Sequence, residues 1–205
     1  SVTIYQLELP FNTVYSKDML GRQVESPVAD WPTKRAWVDH AFNELARAGY
    51  EVSSAYTMVR DRGRCRFVYR DSLWHGADMF GTGVASFGHV NGVHVQNVDT
   101  WEQYISCLDR GELPLGRALP VTPQELLIRE MILQLKTGQV EVDYFHRKFG
   151  VDILERYRDE FQRLAGEGQL TLKDGAVELT RAGLLQVDRL LPAFFEPQHR
   201  VSRYT

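Results

Sequence analysis

The sequence predicts an α+β chain, with helices and β-hairpins in the first 115 residues and a winged-helix-like module over residues 116–205. Three observations predict it. Asn91-Gly92 lies between two runs rich in β-formers, the strongest two-residue hairpin signal. Thr122-Pro123 with Glu125 opens a long apolar-periodic segment with a capping box. Leu170 and Leu172 face Val177 and Leu179 across Asp174-Gly175, and helical patterns flank this second hairpin on both sides.

The elements follow in order. Val2, Ile4, Tyr5, Leu7 and Leu9 form a strand-like run from the second residue. A strand apolar on both faces belongs inside a parallel sheet, and no earlier strand is present to flank it. The chain is therefore expected to be a fragment of a longer protein. Residues 10–32, with Pro10, Gly21, Pro27 and Pro32, are expected to be a long loop. Thr33 caps a helix to about Tyr50, with Val38, Ala41, Phe42 and Leu45 on one face and Gly49 at its end. Ser53–Arg60 and Arg64–Arg70 are expected to be strands around Asp61-Arg62-Gly63, and Asp78–Val90 pairs with Val93–Asn97.

Thr100 starts a helix with Gln103 at the capping-box position and Trp101, Tyr104, Ile105 and Leu108 as its buried stripe. Gly111 and Pro114 end it, and the stretch from Pro114 to Pro120 is the expected boundary between two parts. Beyond it come the Thr122 helix to about Leu135, a short helix from Val142 to Phe149, and a third from Asp152 to Gly166. The hairpin and a closing helix after Thr180, carrying Leu184, Leu185, Leu190 and Leu191, complete the module.

Composition narrows the function. Of 205 residues 43% are hydrophobic and 25% charged, as in a soluble globular protein. Lys plus Arg is 24 against 27 Asp plus Glu, a net −3, which gives no polyanion-binding surface. From residue 122 onward, 12 basic and 13 acidic residues give −1. The recognition-helix position sets Arg156, Arg158 and Arg163 against Asp152, Glu155, Asp159 and Glu160. Phosphate neutralisation supplies most non-specific nucleic-acid affinity, so no nucleic-acid partner is expected. No apolar run reaches the ~20 residues of a membrane span and no signal sequence opens the chain, so a cytoplasmic location is expected. Cys65 and Cys107 are the two cysteines, too few for a disulfide scaffold or a four-cysteine metal site.

Four patterns bear on chemistry. Gly81, Gly83 and Ser86 nearly spell a dinucleotide fingerprint, but a hairpin rather than a helix follows. The glycines instead admit a neighbouring backbone or a ligand. His75, His89 and His94 lie close in sequence without a cysteine pair, so no metal ligands are expected. Arg60, Arg62, Arg64 and Arg66 share one face of an extended strand, and arginine forms bidentate pairs with carboxylates. No residue stands out as a general base, and no catalytic residue is assigned.

The run Gly76, Asp78, Gly81, Gly83, Val84, Ser86, then Gln96-Asn97 and Tyr104, resembles the oxygen-independent coproporphyrinogen III oxidase family of radical S-adenosylmethionine enzymes. Pro114, Thr122, Gly150, Leu179-Thr180 and Gly183 continue the pattern, and Ile4-Tyr5-Gln6-Leu7 and Ala48-Gly49-Tyr50 resemble its late barrel elements. The resemblance implies that residues 1–115 are late strands and helices of a partial (β/α) barrel with a hairpin extension. The family's three-cysteine motif for a [4Fe–4S] cluster is missing, so the chain resembles the C-terminal portion and is expected to hold no cofactor alone. The resemblance implies S-adenosylmethionine near Val68, Tyr69, Gly81, Gly83 and Phe87. It also implies a tetrapyrrole near Tyr5 and Gln6, with Arg64 and Arg66 facing its propionates. The implied reaction of the full protein is oxidative decarboxylation of propionates to vinyls, with the missing barrel half as partner. Haem-binding or haem-degrading relatives on the same scaffold, and a winged-helix regulator, are the alternatives.

Overall fold

A computed structural model describes residues 1–7, 13–22, 28–173 and 175–200. Leu9, Pro10, Pro27 and Asp174, on which parts of the sequence reading fell, lie outside the described residues. The elements in chain order are β1 (Val2–Thr3), α1 (Val14–Arg22), α2 (Trp31–Arg47), β2 (Glu51–Ser54), β3 (Thr57–Val59), α3 (Val68–Trp74), β4 (Phe87–Val90), β5 (Val93–Asn97), α4 (Trp101–Asp109), β6 (Leu115–Pro120) and α5 (Pro123–Leu135). There follow β7 (Gln139–Glu141), α6 (Val142–Phe149), α7 (Ile153–Arg156), α8 (Arg158–Gly166), β8 (Leu170–Lys173), β9 (Ala176–Leu179), α9 (Arg181–Leu184) and α10 (Val187–Leu190). The mixture of helix and strand is the one expected.

Two compact units divide the chain: residues 1–66 with the described part of 135–205, and residues 67–134. In the first unit, β1 and β2 both pair antiparallel with β3, which stands between them. The parallel neighbour expected for the opening strand is therefore absent from the described residues, and regular pairing of β1 ends at Thr3. Val38 and Phe42 of α2 pack with Met58 of β3 as a buried cluster, flanked by Ile4, Leu45, Tyr50, Val52 and Leu185. A second sheet, in the order β7-β9-β8, lies in the same unit. Phe194 meets Tyr157 edge-on and packs against Phe161, with ring centroids 5.6 and 5.0 Å away. Each such fully buried side chain contributes about 1.5–3 kcal/mol.

The second unit is built on the meander β4-β5-β6. Asn91 and Gly92, at φ 48° and 75°, form its first turn, the positive pair that matches the strands' twist. At the start of α5 the Thr122 N–H donates to Glu125 Oε2 at 2.7 Å, and the Glu125 N–H donates to Thr122 Oγ1 at 3.2 Å. The capping box is thus formed as the sequence predicts.

Several expectations are corrected. Part of the expected loop at 10–32 is α1. The cap of α2 is Asp30, whose carboxylate accepts the Thr33 N–H at 2.9 Å, so the helix starts two residues before Thr33. The hairpin turn falls at Ala55-Tyr56, not at Asp61-Arg62-Gly63. Residues 64–70 form no strand, because the Asp61 carboxylate accepts the Gly63 and Arg64 N–H groups and coils the chain there. Val68 and Tyr69 consequently sit in the first turn of α3, and Arg64 and Arg66 enter no strand. Met79 makes only a bridge to His89, and the rest of 78–86 is not strand. Trp101 and Leu108 are exposed rather than buried on α4. The stretch 115–120, within the expected boundary, is β6, paired along β5. The third helix breaks at Tyr157 into α7 and α8. Among the described residues no helix is long and apolar enough to cross a membrane.

Candidate functional site

The sites are built separately in the two units. In residues 67–134 the two-residue turn fixes the register of β4 on β5. Val90 opposes Val93, and His89 therefore opposes His94. The two Nδ1 atoms lie 3.1 Å apart and the ring centroids 4.5 Å apart. One imidazole must donate Nδ1–H to the lone pair of the other. His89 is only 4% exposed. Burial holds its pKa below the ordinary histidine value; Arg129 and then His94 add to this, while Asp78 and Glu130 oppose it. Burial and then Arg129 lower His94 likewise, against Glu125. Both shifts favour the neutral imidazole. His75 does not join them: its Nδ1 lies 2.7 Å from the Asp71 carbonyl oxygen on its own helix.

The glycines serve the chain's own packing. A Cβ on Gly81 would lie 2.2 Å from the Phe87 carbonyl oxygen, so β4 occupies the space the missing side chain leaves. Gly83 sits at φ 103°, where only glycine is comfortable. Asn97 Nδ2 donates to the Gly81 and Gly83 carbonyls at 3.1 and 2.8 Å, and the Gly83 N–H donates to the Tyr104 hydroxyl at 3.0 Å. Val68, Tyr69 and Phe87 present largely exposed side chains. The Tyr69 hydroxyl donates to Met79 Sδ at 3.0 Å, which ties α3 to the segment that leads to Gly81.

In the other unit, Tyr5, Gln6 and Leu7 line one side of a groove of about 540 Å³, opposite Lys34, Trp37 and Val38 of α2. Tyr5 is 81% exposed and stacks on Tyr56 with centroids 6.3 Å apart. Gln6 Oε1 is buried without a hydrogen-bond partner. Lys34 Nζ donates to the Leu7 carbonyl and stands 4.7 Å from the Trp31 ring centre, so the groove has a cation beside aromatic walls. Arg60, Asp61, Arg64 and Cys65 line a separate cleft of about 530 Å³. Arg64 and Arg66 are exposed.

The structure thus brings Tyr5 together with Gln6, and Gly81 together with Gly83 and Phe87. The facing of His89 and His94 is the feature the sequence reading missed. Counting back from the two-residue Asn91-Gly92 turn would have found it, because such a turn leaves no choice of register.

Residues 121–185 match the HemN C-terminal domain family. The chain is 28% identical over 119 residues to an oxygen-independent coproporphyrinogen III oxidase of Helicobacter pylori strain J99, covering 56% of this chain and 26% of that protein. It is 29% identical over 124 residues to the heme chaperone HemW of Bacillus subtilis strain 168, covering 60% and 33%. The fold is similar to that of the coproporphyrinogen III oxidase HemN of Escherichia coli, described as a radical SAM enzyme. The TM-score is 0.65 at 15% identity, over 84% of this chain and 43% of that one. The chain spans less than half the length of each of these proteins.

Proposed function

We propose, from the match of residues 121–185 to the HemN C-terminal domain family, that this chain is the C-terminal part of a radical S-adenosylmethionine protein acting on a tetrapyrrole. The observation that carries the reading is fold likeness over 84% of the chain to an enzyme of that kind. In this reading residues 1–115 complete a barrel whose earlier half lies upstream, and residues 116–205 are its winged-helix-like domain. The family match beginning at residue 121 supports that division. In this reading the whole protein works in the cytoplasm and oxidatively decarboxylates propionates to vinyls, releasing CO2 and passing the electrons to an acceptor outside this chain.

The residues present do not fit a [4Fe–4S] cluster. Such a cluster needs at least three thiolates from the chain, and Cys65 and Cys107 are the two available. No step is assigned to a cluster here. S-adenosylmethionine fits better: the exposed side chains of Val68, Tyr69 and Phe87 give it an apolar wall, and Gly83 leaves room beside it. When bound and given one electron by a reductant held outside this chain, it would supply the radical; the chain would contribute binding, orientation and exclusion of water. The tetrapyrrole lies against Tyr5 and Gln6, with Lys34 and the exposed Arg64 and Arg66 available to propionates.

A second reading is favoured by one observation: a haem chaperone is as similar in sequence as the oxidases are. Titration of the full-length protein with haem and, separately, with the air-stable porphyrin form of the substrate distinguishes the two. The oxidase reading expects porphyrin binding that Arg64→Gln with Arg66→Gln weakens at least tenfold, about one charge-assisted bond. Tight haem binding with no porphyrin binding favours the chaperone, and binding of neither removes both.

A further inference from the structure

We propose that His89 and His94 form a two-imidazole chelate for a divalent late first-row transition metal, of the class of Cu²⁺, Ni²⁺ and Zn²⁺. The spacing is the first argument. Two nitrogens each about 2.0–2.1 Å from one ion stand about 2.9 Å apart at a right angle and about 3.3 Å at a tetrahedral one. The observed Nδ1···Nδ1 separation of 3.1 Å falls between these. The two Nδ1 atoms stand within hydrogen-bond distance of each other, so a small turn of either ring suffices to face both toward one ion.

The scaffold is the second argument. The tight turn at Asn91-Gly92 sets the pair on one side, and the Asn91 N–H donates to Asp78 Oδ1 at 2.9 Å. On the other edge of β4, the Met79 N–H donates to the His89 carbonyl, and the His89 N–H donates to the Met79 carbonyl, each at 2.8 Å. A chelate held this way spends little ordering entropy on binding.

Charges of both signs surround the pair: Arg129 is the strongest charge acting on either ring, opposed by Asp78 and Glu130 at His89 and by Glu125 at His94. Binding needs no proton release: the single Nδ1 proton of the pair moves to Nε2 of its own ring, and both Nδ1 lone pairs face the ion. Among the described residues no group of three metal-ligating side chains includes the pair, so water completes the coordination. Copper binds most tightly on the Irving–Williams order.

The test is titration of the untagged, chelator-stripped chain with Cu²⁺, Ni²⁺ and Zn²⁺ by calorimetry, with electron paramagnetic resonance of the copper form. One equivalent should bind at least tenfold more tightly to the wild type than to His94→Gln, and His75→Gln should match the wild type. The copper spectrum should show two coordinated nitrogens, reduced to one in His94→Gln. Equal affinities for wild type and His94→Gln would overturn the proposal. If His94→Gln proves unfolded by circular dichroism, the wild-type spectrum decides alone: fewer than two nitrogens overturns it.

Discussion

Arg181 reaches the carboxylate of Asp39 across 142 positions of sequence, with Nε 2.8 Å and Nη2 2.7 Å from Oδ1. The same guanidinium lies 4.9 Å from the centre of the Phe42 ring. The contact joins the start of α9 to α2 and so ties the beginning of the chain to its end. Both side chains are roughly two-fifths exposed, so solvent screens the pair. A double-mutant cycle with Arg181→Ala and Asp39→Ala, read by urea unfolding, should give a coupling of about 0.5–1 kcal/mol. Arg181→Ala should cost more than Asp39→Ala, because it also uncovers the Phe42 face. Equal costs would mean that the ring contact contributes nothing.

Gly183 marks the tightest approach in the first unit. A Cβ there would stand 1.9 Å from the Gln169 carbonyl oxygen, a backbone atom that cannot swing away. Gly183→Ala should lower stability by about 1–3 kcal/mol or abolish folding. Thr180→Ala removes the hydroxyl that accepts the Gly183 N–H and donates to the Gly168 carbonyl, and should cost about 1 kcal/mol. The urea midpoints rank the two, and a milder Gly183→Ala would show that α9 can shift away from Gln169.

What could be read from the sequence divides along one physical line. The Asn91-Gly92 hairpin, the Thr122–Glu125 capping box and the Gly150 end of α6 depend on a few adjacent residues, and all three are formed. Elements that depend on distant partners were not legible. The turn at Ala55-Tyr56 has no glycine or proline; the Ala55 N–H donates instead to the carbonyl of Lys136, far along the chain. Three-residue β7 exists because β9 pairs with it. Val68 and Tyr69 have strand propensity, yet the Asp61-closed turn and α3 override it. The arginine face failed with that strand, since alternation has meaning only where the backbone is extended. For the candidate site, residue types were legible but not their juxtaposition. Gly81 is a position of close approach, where the Phe87 carbonyl occupies the space, whereas Gly83 is glycine for its φ of 103°.

The second unit should lose stability in mild acid. His89 and His94 titrate near 6.5 when unfolded and lower when folded. Below about 6.5 the unfolded chain therefore binds more protons than the folded one, and stability falls with pH. It is full above that value and levels off below the folded pKa values. Melting temperatures measured with a chelator present should fall between pH 7 and 5, with a shallower slope in His94→Gln. Identical slopes would assign the acid sensitivity to carboxylates elsewhere.

Gly81 and Phe87 separate a structural role from a binding one on the same few residues. With Gly81's would-be Cβ 2.2 Å from the Phe87 carbonyl oxygen, Gly81→Ala must push β4 away or break its bridge to Met79. The chain alone, with no ligand added, should then melt well below the wild type. Phe87→Ala and Tyr69→Ala remove side chains that are 67% and 69% exposed, so their melting should stay near the wild type. If these two aromatics form the cofactor wall proposed above, each should weaken S-adenosylmethionine binding to the whole protein while leaving the fold intact. A Gly81→Ala chain as stable as the wild type would show that β4 yields at little cost, and would return the glycine to the list of positions that a ligand alone explains. Loss of stability in Phe87→Ala would show instead that its ring is part of the packing, and the apolar wall would have to be sought elsewhere on α3.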